Sequence, residues 1–513
     1  MRTSIILVVA ILTSALSGQS DRPGRVTIDF GETLQKWDGF GVNYVETAQT
    51  RDYRAWPQDY GGFSVLPEAA RAEIIDLVFA DDGLKPGIVK MFLDPFHEGV
   101  TRDGNDNNDP WHLDPARFDH TTTTGSMRRF VRDGLKLTRA RGGDLSIITT
   151  LYGPPAWTTV QDMVRGADLR ADAMPEVAEY IAAFARFLRD TEGFPVRFVS
   201  VHNEGLDPPR YTADGRDDES VAHHDYNVRW TAEKVAKFLP LLRRILDVNG
   251  LADVGIAPGE TMQWYLSRET FANIAALPEA LEAIGLITAH GFAGSTDPLR
   301  WNYCPSPFDP IAIRTLQEPR PDLHVWTTST SWGAMDVNLI EHLRGHIYTN
   351  KNNAIIPWAL IQRSSQWTRG DPNPGCAIRV FDDGTYAVQP GYYLYKQVTR
   401  AGQPGMRVAH VNSEDPLVTA IAFASAGSDN PDAFVLLNRS WYPTTVELVV
   451  NGTEAADFKI VRTIVNTFCE RFSADEIPAE ELFVEHPDWQ LSKGRIQVTL
   501  PALSVTTGFA KED

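Results

Sequence analysis

Short apolar runs and amphipathic segments alternate along most of the chain, from about residue 37 to about residue 400. The apolar runs are FGVNYV (40–45), GIVKMFL (87–93), LSIITTLY (145–152), VRFVSVHNE (196–204), DVGIAPG (253–259), LITAHGF (286–292), LHVWTT (323–328) and AIIPWALI (354–361). Each has strand length, and several are apolar on both faces, as a parallel strand covered on both sides demands. Between them, PEAARAEIIDLVF (67–79), PEVAEYIAAFARFLRD (175–190) and WTAEKVAKFLPLLRRIL (230–246) place apolar residues at three- and four-residue steps, the helical period. Strands and helices alternating in this way, eight times over, predict a (β/α)8 barrel.

After about residue 405 the period changes. TAIAFASA (419–426), AFVLLNRS (433–440), TTVELVVN (444–451), FKIVRTIV (458–465), RIQVTLPA (495–502) and SVTTGFA (504–510) read as strands parted by turn residues. They predict an antiparallel β-sandwich of roughly 100 residues. An early strand, RVTIDF (25–30), precedes the barrel and is expected to join that sandwich. At the N-terminus Arg2 stands ahead of an apolar run at 5–12, followed by the small residues Ala15 and Ser17. That order predicts a secretory signal peptide, and the run is too short to span a bilayer. The expected organisation is a signal peptide at 1–18, a sandwich strand at 19–36, the barrel at 37–403 and the sandwich at 404–513.

Composition narrows the function classes. Hydrophobic residues at 43% and charged residues at 22% describe a globular protein. A net charge of −19 argues against nucleic acid, whose phosphates need a basic surface. It suits a soluble protein acting on a neutral polymer or a small molecule. No membrane partner is expected, because no other long apolar run exists, and no cofactor, because no glycine-rich phosphate loop follows a strand in the right frame; a monomer is expected. Cys304, Cys376 and Cys469 are odd in number and widely spaced, which predicts neither a disulfide framework nor a metal site. DGNDNNDPW (103–111) reads as a solvated loop, and His223-His224-Asp225 lacks a third ligand.

In such a barrel chemistry sits at the C-terminal ends of the strands. Those ends offer Asn43 and Glu46, then Asp94, His97 and Glu98, then Trp157. They continue with His202, Asn203 and Glu204, then Glu260 and Trp264, then His290, Thr328 and Ser329, and Trp358 with Gln362. Carboxylates, histidines and tryptophans around one mouth are what glycosidic bond cleavage needs. One acid protonates a poor leaving group, a carboxylate meets positive charge at the anomeric carbon, and aromatic faces hold the sugar. Trp157, Trp264 and Trp358 are the stacking candidates, with Trp358 the expected floor. His202, Asn203, Asn43, Asp94, His290 and Glu260 are candidate substrate contacts.

SVHNEG (200–205), at the end of the fourth strand, resembles the acid/base site of clan A retaining glycoside hydrolases. WDGFGVN (37–43), TLYGPPAWT (150–158), TAHGF (288–292), IIPWALI (355–361) and YYLYKQVTRAGQPGMRVA (392–409) together resemble glycoside hydrolase family 30 in their order along the chain. The resemblance implies a barrel with a sandwich and retaining hydrolysis of a β-linked glycan. It also implies Glu204 as general acid/base, Asn203 on the sugar, and a polysaccharide or oligosaccharide as substrate.

Two positions depart from the family. Its seventh strand ends Trp-x-Thr-Glu, with that glutamate as nucleophile, whereas here HVWTTSTSWG (324–333) places Ser329 there. A serine without a base cannot serve as the carboxylate does. The family's second-strand arginine is matched by Lys90, either a stand-in or a lysine whose head reaches solvent at the barrel base. Three explanations are open for Ser329: replacement of an original glutamate, loss that leaves a carbohydrate-binding protein, or a second carboxylate supplied by Glu260, Glu98 or Glu46.

Overall fold

The computed structural model describes residues 23–44, 62–97, 107, 109–121, 123–164, 166–206, 214, 216, 228–292, 307–363, 375–465 and 480–511. The expected signal peptide, Glu46, Glu98, residues 103–106, His223, His224, Asp225, Cys304 and Cys469 lie outside them.

The first strand, β1 (Gly24–Lys36), is followed by eight barrel strands. These are β2 (Gly39–Asn43), β3 (Ile88–Leu93), β4 (Ser146–Leu151), β5 (Val196–Ser200), β6 (Gly255–Ala257), β7 (Leu286–Ala289), β8 (His324–Ser331) and β9 (Ala354–Trp358). They pair in parallel in the order β6-β5-β4-β3-β2-β9-β8-β7. Between β6 and β7 the Gly285 N–H donates to the Ile256 carbonyl at 2.8 Å. That seam is tight: a Cβ on Gly285 would lie 3.0 Å from the Gly255 Cα. The chain is a (β/α)8 barrel, and the helices α1 (Glu68–Phe79), α3 (Met174–Asp190) and α4 (Ala232–Val248) follow the helical period read from the sequence, whereas α2 (Gly125–Ala140) is not among the segments read there. Farther along come α5 (Arg268–Ala276), α6 (Pro278–Ala283), α7 (Pro310–Gln317), α8 (Val337–Tyr348) and α9 (Pro390–Ala401).

Strand alternation stacks the barrel interior in layers. Ile88, Ile148, Ala257, Leu286, Trp326, Ala354 and Ile356 form one apolar cluster with Phe198 against it. Four residues on from Ile88 and Ile148, and two on from Ile356, Phe92, Tyr152 and Trp358 form a second cluster nearer the strand ends. Lys90 and Thr150 fall between these layers by the same period of two. The apolar layers above and below keep water from the polar groups held between them.

The second domain is a β-sandwich built on one nine-stranded sheet, ordered β18-β17-β20-β15-β14-β13-β1-β16-β19. Its strands are β13 (Arg407–Ser413), β14 (Val418–Ala424), β15 (Ala433–Asn438), β16 (Thr444–Asn451), β17 (Asp457–Ile464), β18 (Glu481–Gln490), β19 (Arg495–Leu500) and β20 (Ser504–Ala510). The expectation of a purely antiparallel sheet is corrected here. β1 runs antiparallel to β13 but parallel to β16. β13 and β18 carry strands not foreseen from the pattern. So do β10 (Ile361–Gln362), β11 (Ile378–Val380) and β12 (Tyr386–Val388), a small sheet beyond β9. Helix α9 contacts the sandwich, where Gln397 Nε2 donates to Thr463 Oγ1 at 2.8 Å.

Candidate active site

The end of β8 is shaped by a bulge. Thr328 pairs with Ile356 and Thr330 with Pro357, so Ser329 is the extra residue of its strand. A bulge re-aims the side chain it carries. Ser329 Oγ accepts from Asn43 Nδ2 at 3.1 Å and from Lys90 Nζ at 3.1 Å. Lys90 also donates to the Thr328 carbonyl at 2.9 Å and forms an ion pair with Glu260. Its ammonium lies 4.7 Å from the centre of the Phe92 ring. Asn43, Lys90, Glu260 and Ser329 are all 0% exposed. Lys90 therefore does not reach solvent at the barrel base, the other reading the sequence allowed.

Glu260 is held from three sides. The Thr150 hydroxyl donates to Oε1 at 2.7 Å, and His290 Nε2 lies 3.1 Å from Oε2, which Lys90 also contacts. Burial alone would push this carboxyl up. The Lys90 charge and the bonded His290 outweigh burial and bring it down to about 2. Thr150 was not foreseen as part of the site; its spacing of two from Ile148 and Tyr152 was the available signal.

Glu204 lies on the other side of the same imidazole. His290 Nδ1 is 2.8 Å from Glu204 Oε1, and the Glu204 side chain retains 11% exposure. The Glu204 N–H donates to the Glu260 carbonyl at 2.7 Å, and Asn203 bridges Glu260 in parallel fashion. Glu204 adopts φ +49°, a conformation uncommon for a residue with a side chain and found at functional sites. Asn203 itself is 3% exposed.

The remaining candidates divide. Asn43, Asn203, Glu204, Glu260, His290 and Ser329 are brought into one connected group. His202 is turned away: its Nδ1 accepts from the Gly205 N–H at 3.1 Å and its ring stacks 6.0 Å from Trp230. A Cβ on Gly259 (φ +116°) would lie 2.2 Å from His202 Nε2, so the ring is packed under that loop. Burial takes His202 down to about 3, against the opposing charge of Glu260. Asp94 also faces inward. Its Oδ1 accepts from the Phe96 N–H at 2.8 Å and its Oδ2 lies 3.3 Å from His97 Nε2. Trp264 is 1% exposed, beneath Gly291. Trp358 stands in the mouth layer, its ring 6.0 Å from Phe92, with Phe292 packed nearby. Trp157 is half-buried on a short 3-10 turn after β4.

The barrel and sandwich, with a carboxylate–histidine–carboxylate chain at the strand ends, resemble solved structures in fold. A GH30 endoxylanase from Clostridium papyrosolvens C71 has a TM-score of 0.60 to this chain at 16% identity, covering 95% of this chain and 100% of that one. SrfJ from Salmonella typhimurium gives 0.66 at 15% identity, over 96% and 94% of the two chains. The endo-β1,6-glucanase BT3312 gives 0.61 at 15% identity, over 95% and 94%. At such identities the shared property is the fold, a glycoside hydrolase fold like that of the GH30 xylanases. No protein-family model and no curated protein matches the sequence.

Proposed function

We propose that this protein binds β-linked glycan at the barrel mouth. Glu204 is the general acid/base there, Asn203 holds the sugar, and the covalent double-displacement route through position 329 is closed. The observation that carries this reading is the contrast in access. Glu204 keeps exposed surface beside His290, whereas Ser329 is enclosed and accepts from both Asn43 and Lys90. A serine in that setting has no base to activate it and no path to an anomeric carbon. Glu260 does not take over as nucleophile on this reading. It is ionised but enclosed, and Thr150, Lys90 and His290 occupy its oxygens. Two carboxylates that flank a sugar must also face each other across open space. Between Glu204 and Glu260 stands an imidazole.

The enclosure of Ser329 by Lys90 supports a settled loss of the nucleophile over a lone replacement, since two departures from the family pattern fit each other. Export belongs to the same reading and rests on the N-terminal apolar run. The resemblance to glycoside hydrolase family 30 supports a polysaccharide or oligosaccharide ligand, and Trp358 with Trp157 would supply the stacking faces.

The test uses the chain as written, Ser329→Glu and Glu204→Gln against β-linked xylo- and gluco-oligosaccharides, by calorimetry and by product analysis. The expected result is saturable binding by the chain as written, with turnover appearing in Ser329→Glu. Turnover by the chain as written that is lost on mutating Glu46 or Glu98 would replace this account with a relocated second carboxylate. Absence of binding to every glycan would remove the glycan reading.

A further inference from the structure

In a retaining site the nucleophile's negative charge helps keep the neighbouring acid protonated, because like charges oppose a second ionisation. Ser329 supplies no such charge. We propose that the Lys90–Glu260 pair acts through His290 to keep the proton on Glu204, so that Glu204 stands as an acid although position 329 is neutral. This rests on Glu204 being the acid/base group, and it makes Lys90, Glu260 and His290 positioning residues.

The hydrogen-bond roles follow from the chemistry of the partners. Glu260 sits beside the Lys90 ammonium, so it is a carboxylate and can only accept. The His290 Nε2 at 3.1 Å must then carry a hydrogen. A neutral imidazole with a hydrogen on Nε2 presents a bare lone pair at Nδ1. That lone pair faces Glu204 Oε1 at 2.8 Å, a distance that requires a hydrogen between them. The hydrogen belongs to Glu204 when the imidazole is neutral. The alternative, an imidazolium facing a glutamate anion, puts another ion pair into a region where His290 is 2% exposed and Lys90 already balances Glu260. Deprotonating Glu204 without moving that hydrogen would set a lone pair against an anion.

Among the described residues, the other groups around the pair do not reverse this. His202, packed after β5, is kept neutral by burial. His346 of α8, whose Nε2 lies 3.2 Å from the Gly291 carbonyl behind His290, is also held neutral by burial. Thr150 adds a neutral donor to Glu260, which favours its ionised form.

The proton can be read without any glycan, so failure here and failure of the glycan reading are separable. The probe is the infrared band of the protonated Glu204 carboxyl, isolated by 13C-glutamate labelling and subtraction of the Glu204→Gln spectrum, followed against pH. In Glu260→Gln the amide can donate to Nε2, and in Lys90→Met Glu260, left without its cation, takes up a proton and donates it likewise; in both the imidazole reverses its tautomer, and Nδ1 donates to a Glu204 anion. The midpoint of the band is expected to fall by about one pH unit or more in Glu260→Gln and in Lys90→Met. Lys90→Arg, which keeps the cation, is expected to restore most of the shift. The 15N ring resonances of His290 in the unmutated chain, assigned by loss in His290→Gln, are expected to show hydrogen on Nε2 and a bare Nδ1, and this arm stands even where a variant fails to fold. Equal midpoints in the parent and both variants, or a bare Nε2 in the ring spectrum, would overturn the proposal.

Discussion

The two halves of the barrel mouth use the same kinds of side chain for opposite ends. On one side Glu204 lies beside His290 with part of its carboxyl exposed. On the other, Asn43 and Lys90 converge on Ser329 with none of the three exposed. One half can reach a ligand; the other is filled by its own hydrogen bonds. On the reading proposed above, a lost catalytic carboxylate need not leave a gap. Here the charged neighbour, Lys90, pairs with Glu260.

Acid should separate the supports of these halves most strongly. His202, His342 and His346 are neutral in the fold because burial lowers them, to about 3 for His202 and about 4 for His342. The unfolded chain takes up a proton at each as pH falls below about 6.5, and the fold does not. The contribution of these three is therefore full above that pH and falls by about 4 kcal/mol per pH unit between roughly 6 and 4, and His120, which burial takes down to about 2, steepens the slope further. Urea unfolding at several pH values measures the slope, and His202→Gln should make it shallower. Glu260 acts lower down. Its folded value of about 2 lies beneath its ordinary 4.5, so its contribution is present above pH 4.5 and is lost as pH falls toward 2.

Lys90→Met comes next. It leaves buried Glu260 without its cation, so that the carboxyl must take up a proton, and should cost about 3–5 kcal/mol, read as a lower urea midpoint with an unchanged slope. By contrast Glu204→Gln, on the partly exposed side, should cost about 1 kcal/mol or less. Equal losses in the two variants would erase the distinction between a sealed half and an open half.

Ser329→Glu tests whether the sealed half can be reopened. The added carboxylate should draw Lys90 from Glu260 and raise aryl β-glycoside turnover by on the order of 100-fold, about 3 kcal/mol of barrel-mouth transition-state stabilisation. Product analysis should show retention at the anomeric carbon. The smallest effect belongs to Ser329→Ala. It removes one acceptor from two donors and should cost about 1–2 kcal/mol in the same unfolding assay while leaving glycan affinity within about twofold.

Much of this comparison was legible in the sequence, for physical reasons that differ residue by residue. Glu204 and Ser329 stood out because strand ends in a barrel converge on one mouth. Lys90 stood out because a charge two residues from Ile88 and from Phe92 must share their face of the strand. The bulge that aims Ser329 depends on register with β9, which one strand's pattern does not reveal. His202 and Asp94 sit at strand ends too, yet local bonds to the Gly205 and Phe96 N–H groups turn both side chains away. Such short-range competition for backbone donors is invisible to a reading by strand position. The sandwich shows the same limit. RVTIDF announced a strand, but its parallel pairing with β16 is a tertiary fact.

The most direct measurement of the central claim is intact-protein and peptide mass spectrometry after incubation with activated 2-deoxy-2-fluoro β-glycosides, which accumulate a glycosyl-enzyme wherever a retaining nucleophile exists. The account predicts no adduct on the chain as written and a single adduct on residue 329 in Ser329→Glu. A stoichiometric adduct on the chain as written, at Glu260 or any other carboxylate, would contradict it.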